Sequence, residues 1–221
     1  MDRIVDYSRV DIGDIILIRP QKITSKAISF FSRGPYSHAM ICYTKGSVIE
    51  ALQSFGVCSN PIPRSIYKPE DRVAVFRYPN LKPSEKERIS IFLRNSIGSK
   101  YGVIQAIQCI FPLWKNPREH FCSRLAALAY EEIGIKIVEN PWFCIPTDIY
   151  NSVNLKKISD AVRPATSYEL KISKIPNPIV DQSIRTNNFM DEVFPYSVPV
   201  KYRKIWPSEG VLWARAKSFG V

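Results

Sequence analysis

The segment "EHFCSRLAALAYEEIG", which starts at Glu119, puts Cys122 where an apolar pattern begins a helix. The thiolate is the reactive form of cysteine, and a helix N-terminus favours it through unpaired N–H groups and the helix dipole. The same N–H groups can bind a developing oxyanion. Cys122 is therefore well placed for nucleophilic chemistry. Free cysteine is also a common small buried hydrophobe, and this segment alone favours that structural use. His120, one of only two histidines, lies two residues earlier. It would need an unusual backbone path to turn its ring onto the sulfur, and it reads as a rim residue or a structural cap.

Two sharper uses of the same residues fail on spacing. A phosphotyrosine-phosphatase loop needs His-Cys, five residues and Arg, but Phe121 separates His120 from Cys122 and Leu128 stands where Arg is required. A zinc site needs close Cys/His pairs, which His38/Cys42 and His120/Cys122 do not provide. No metal is expected. No cofactor is expected either, since there is no Gly-rich phosphate loop and no dinucleotide fingerprint.

The other histidine, His38, sits in "PYSHAMICY", where alternation places His38, Met40 and Cys42 on one face of a strand. A structural histidine bonded to a nearby carbonyl is the simpler use. Glu50 lies in "SVIEAL" on the returning strand, and register decides whether it reaches His38. A two-residue Lys45-Gly46 loop sets Gln53 opposite His38 and Glu50 on the far face. A three-residue loop, with Gly46 left-handed, pairs Met40 with Glu50 and His38 with Leu52, making Glu50 a diagonal neighbour of His38. Pattern alone leaves both open.

These residues are carried by elements with ordinary signals. "GDIILIRP" (Gly13 to Pro20) and "RVAVFRYP" (Arg72 to Pro79) predict strands, and "YSHAMICYTKGSVIEALQSFG" a hairpin. "KPSEKERISIFLRNSIG" predicts a helix from Pro83 to the Gly98 stop. "KITSKAISFFSRG", "KYGVIQAIQCIF" and "CSRLAALAYEEIG" predict further helices, and "IPTDIYNS" a proline-led helical turn. Interleaved strands and helices without β-α-β rhythm indicate an α+β domain with a mostly antiparallel sheet. Periodicity loosens after about residue 160. This divides the chain into a domain over 1–160 and an extension over 161–221 that packs on it or binds a partner.

The composition sets limits. The chain has 221 residues, 45% of them apolar, enough for a real core. Its net charge of +11 is dispersed, with no basic arm or recognition motif, so nucleic acid is not expected as a partner. The five cysteines do not look like a disulfide framework. No stretch is long and apolar enough for a transmembrane segment, and the start has no signal-peptide core. The expectation is a protein made in the cytoplasm, with any export by a signal-independent route. Oligomeric state is left open.

Taken in order, "GDIILI", "GPYSHAMICY", "VIEAL", "GSKYG", "HFCSRLAALAYEEIG" and "IPTDIYNS" resemble the circularly permuted papain-like cysteine hydrolases of the NlpC-type cell-wall peptidase superfamily, YiiX/YebB-like branch, over about residues 11 to 155. Permuted members place the histidine strand before the Cys-Ser helix, as this chain does. The resemblance implies a permuted papain-like fold, with an antiparallel sheet or small barrel packed on the helical layer that carries the cysteine. It implies Cys122 as nucleophile, His38 as base and Glu50 as orienting residue. Tyr101 would sit beside the nucleophile to meet substrate or oxyanion, and Ser123 would cap the helix. It favours the three-residue hairpin register. The implied activity is amide cleavage through a thioester acyl-enzyme, with cell-wall stem peptides as leading substrate, acting on recycled fragments or as a delivered effector. The alternatives are a lipid-directed acyl hydrolase or acyltransferase, with Phe30, Phe31, Phe111, Trp114 and Trp142 as candidate groove residues, and a non-enzymatic binding module of the same fold.

Overall fold

A computed structural model of the chain describes residues 1–21, 34–52, 56–62, 65–101, 119–120 and 122–174. The strands are β1 (Arg3–Val5), β2 (Ile15–Arg19), β3 (His38–Thr44), β4 (Ser47–Leu52), β5 (Gly56–Pro61), β6 (Ile66–Tyr67), β7 (Arg72–Arg77), β8 (Lys100–Tyr101), β9 (Glu119–His120), β10 (Lys156–Ile158) and β11 (Val162–Pro164). The helices are α1 (Pro83–Ser96), α2 (Cys122–Glu131), α3 (Pro146–Tyr150) and α4 (Ser167–Ile172), with a 3₁₀ turn at Pro141–Phe143.

Six strands form an antiparallel sheet in the order β10-β7-β2-β3-β4-β5. Its central strand, "IILIR", is apolar on both faces because both are covered. Ile15 and Leu17 join Ala39, Ile41, Ile49 and Ala51 in a core with the helices, including Leu125, Ala126 and Ala129 of α2. Ile16, Met40, Cys42 and Val48 face the other way, against Val5 and Tyr67 of a smaller antiparallel sheet, β11-β1-β6. The architecture is thus α+β, with the large sheet between a helical layer and a second sheet.

The predicted strands, the hairpin, the helix at Pro83 and the turn at Pro146 form where expected, and Gly98 (φ +81°) follows α1 in the left-handed region. Lys100–Tyr101, predicted to open a helix, is instead a short strand paired in parallel with β9. The predicted helix over "KITSKAISFFSRG" lies outside the described residues, as does the rest of "KYGVIQAIQCIF". The described part of the segment after 160 includes β11, which pairs with β1 at the start of the chain.

The hairpin combines both candidate registers. Thr44 pairs with Ser47 around a two-residue Lys45-Gly46 loop, but Ile41 pairs with Ile49 and Cys42 with Val48. Tyr43 is the extra residue, forming a bulge whose hydroxyl bonds the Ser59 hydroxyl at 2.9 Å. Gly46, expected to be left-handed, is not among the described positive-φ glycines.

Where β2 begins and β7 ends, a buried carboxylate pairs with a partly exposed guanidinium. Asp14 is 1% exposed and receives Arg77 in two bonds, Nε to Oδ1 at 2.8 Å and Nη2 to Oδ2 at 2.6 Å, plus the Asp11 amide. Burial still pushes its carboxyl above the usual range, against the pull of Arg77. Arg77→Leu would leave that carboxylate without its cation. A loss of about 2–3 kcal/mol in urea unfolding at pH 7 is expected, less than for a fully buried pair because Arg77 is partly exposed. Losing Arg77 raises the Asp14 pKa further above its unfolded value, so the penalty is full at neutral pH and shrinks as pH falls into the carboxylate range.

Candidate active site

α2 carries the candidate nucleophile and is buried from Cys122 to Tyr130. Small residues, Ala126, Ala127 and Ala129, let its backbone approach the sheet closely. Three of its buried polar side chains are tied down. The Ser123 hydroxyl, expected to cap the helix, donates to the Cys144 carbonyl at 2.7 Å. The Arg124 guanidinium stacks over Trp142 at 4.2 Å from the ring centroid. Tyr130 Oη donates to the Gly13 carbonyl at 2.8 Å. Gly13 has φ +91°, a conformation that residues with a side chain rarely adopt, so this tight turn needs glycine.

Opposite the start of α2 stands the start of β3. The His38 ring hydrogen-bonds the Cys122 sulfur, while its Nε2 lies 2.7 Å from Glu50 Oε2. The bulge at Tyr43 makes this possible. Carried toward His38, the Ile41–Ile49 register sets Met40 opposite Glu50 and makes His38 the diagonal neighbour. Three predicted site residues thus form one line: sulfur, imidazole, carboxylate.

Burial and pairing oppose each other at every member of that line. Burial alone pushes the Cys122 thiol up. The charge and hydrogen bond of His38, with the Ala39 and Ser123 amides, outweigh it and hold the thiol below its ordinary value. Burial alone would depress His38, but the Cys122 thiolate and Glu50 carboxylate raise it well above the usual imidazole range. Burial likewise raises Glu50, yet the His38 hydrogen bond and charge, then Asn60, bring it below the ordinary carboxylate value. With side chains only 19% and 11% exposed, His38 and Glu50 are weakly screened by water. The three groups thus shift one another in the directions that favour thiolate, imidazolium and carboxylate.

Asn60 on β5 was missed by the sequence reading. Its Nδ2 donates to Glu50 Oε1 at 2.6 Å. Strand alternation through "VCSNP" would have put it on the face of Cys58, but Asn-Pro reads as a turn. Tyr101 lies in β8, its backbone paired with His120 two residues before the nucleophile. Gln53, the other candidate orienter, lies outside the described residues, as do Phe30, Phe31, Phe111 and Trp114. Trp142 is described, and its ring is engaged by Arg124. Among the described residues, no group of three or more His, Cys, Asp and Glu is arranged to hold a metal ion.

The chain belongs to the permuted papain-like amidases of the YaeF/YiiX group, the C92 family, whose model matches residues 9–160. It is therefore a hydrolase of the amidase kind. No curated protein matches it. Among solved structures, it resembles one described as the metalloprotein yiiX from Escherichia coli O157:H7. The TM-score is 0.51 and the identity 17%, covering 67% of this chain and 96% of that one. At that identity the likeness speaks for the fold.

The electrostatics predict a labelling pattern. Iodoacetamide should modify Cys122 with a pH inflection below that of an ordinary thiol. His38→Ala removes the balancing cation and leaves the burial, so labelling of Cys122 at pH 7 should fall roughly 10- to 100-fold, followed by mass spectrometry of its peptide.

Proposed function

We propose that this protein is a cysteine amidase in which Cys122 is the nucleophile, His38 its acid–base partner and Glu50 the residue that orients and charges the imidazole. The observation that carries the reading is the single His38 ring bridging the Cys122 sulfur and the Glu50 carboxylate. Glu50 occupies Nε2, which leaves Nδ1 for the sulfur and fixes the ring. The thiolate attacks the amide carbon, and a carbon–sulfur bond forms as the carbonyl pair moves to oxygen. Amides at the start of α2 meet that oxyanion, and Tyr101 is assigned to help them or to bind substrate. His38 gives its proton to the leaving amine nitrogen as the carbon–nitrogen bond breaks. Water, deprotonated by His38, then hydrolyses the thioester, and Glu50 stays ionised throughout.

The substrate we assign is a cell-wall stem peptide. A net charge of +11 suits an anionic polymer. On this reading the protein works on cell-wall fragments or as an effector delivered into another cell. The test incubates purified protein with muropeptides and, separately, with phospholipid vesicles, beside Cys122→Ala. Muropeptides should be cleaved with the gain of one water, through a transient adduct on Cys122. Cys122→Ala should be inactive, and His38→Ala should lose about 10²–10⁴-fold in kcat/KM. Cleavage of phospholipid with muropeptides intact would overturn the substrate assignment. Undiminished activity in Cys122→Ala would overturn the nucleophile.

A further inference from the structure

Glu50 lies in the middle of three adjacent strands and is engaged from both sides. Cys58 is directly opposite it on β5, and Asn60, opposite Val48, is its diagonal neighbour on the same face. His38 is the diagonal neighbour on β3, toward the other end. The two carboxylate oxygens are divided between them: Oε2 to His38 Nε2 at 2.7 Å, Oε1 to Asn60 Nδ2 at 2.6 Å. A carboxylate only accepts, so the amide must turn its NH₂ toward Glu50.

We propose that Asn60 is a positioning residue: by holding Oε1 it fixes the Glu50 side chain so that Oε2 meets His38. The inference rests on the Cys-His-Glu reading and extends it by a fourth member acting through Glu50. Glu50 is 9% exposed, so little water is available to solvate the oxygen that His38 does not use. The groups around it are His38 from β3 and Cys58 and Asn60 from β5, the two neighbouring strands, and Tyr67 from β6 of the smaller sheet, with Cys42 of β3 beside Tyr67. Burial pushes the Cys58 thiol up to about 12 and drives the Tyr67 phenol up too, with the Glu50 charge adding to both. Burial likewise raises the Cys42 thiol. These groups stay neutral at working pH. The charge of Glu50 therefore depends on His38 on one oxygen and Asn60 on the other. Asn60 Nδ2 also lies 3.8 Å from the Cys58 sulfur, a weak second contact.

The test is a double-mutant cycle on the full chain, with Asn60→Ala made alone and in Glu50→Gln. The readout is the rate of Cys122 alkylation by iodoacetamide against pH, quantified on the Cys122 peptide so that the other cysteines do not contribute. Asn60→Ala should move the Cys122 inflection up by roughly half to one pH unit, slowing alkylation at pH 6 about 3- to 10-fold. In the Glu50→Gln background, Asn60→Ala should produce no further shift. An Asn60→Ala profile that superimposes on wild type overturns the proposal while leaving the triad intact. So does a shift that adds in full on top of Glu50→Gln, since Asn60 would then act by another route. A wild-type profile with an ordinary thiol inflection overturns the triad and the proposal together. Should Asn60→Ala not fold by thermal melting, Asn60→Ser, too short to span the same distance, is read in its place.

Discussion

A helix with no solvent face governs this molecule. From Cys122 to Tyr130, α2 is buried on all sides, so each polar group it carries needs a partner within the protein. Ser123 is tied to Cys144, Arg124 stacks on Trp142, and Tyr130 reaches the Gly13 turn where β2 begins. The helix is thereby fixed at its first turn and its last. The sulfur at its start has little freedom relative to β3, and only such a fixed sulfur can share one imidazole with a carboxylate on the next strand. Position here is a by-product of burial.

The same burial creates an electrostatic problem that the line of groups solves collectively. A thiolate, an imidazolium or a carboxylate alone in this setting would revert to its neutral form. Side by side each shifts the others toward the charged form, and the amides of Ala39 and Ser123 and the side chain of Asn60 add to this at either end. The lowered pKa of the Cys122 thiol is thus not a property of its helix terminus alone, although the terminus contributes through the Ser123 amide.

Much of this was legible in the sequence, and the gaps have physical reasons. Long elements with strong periods, β2, β3, β7 and α1, announce themselves, and so does the cysteine at the start of α2. Residue order from the histidine strand to the cysteine helix carried the family. By contrast β1, β6, β10 and β11 are two or three residues long, too short for a period, and β1 finds β11 across the length of the domain. β5 was masked by Ser, Asn and Pro, residues depleted from strands, and Asn60 was lost with it. The hairpin register could not be chosen by pattern because the chain uses a two-residue loop and then departs from its register.

That departure has a consequence for how far the hairpin can be improved. With a regular two-residue turn, alternation would be unbroken and the strands better matched, yet position 38 and position 50 would then fall on opposite faces by simple parity. The odd residue, Tyr43, restores the parity. A sequence tuned toward the ideal hairpin would gain regularity and carry the Glu50 carboxylate off the face of the His38 imidazole, so the contact between the two rests on the irregularity.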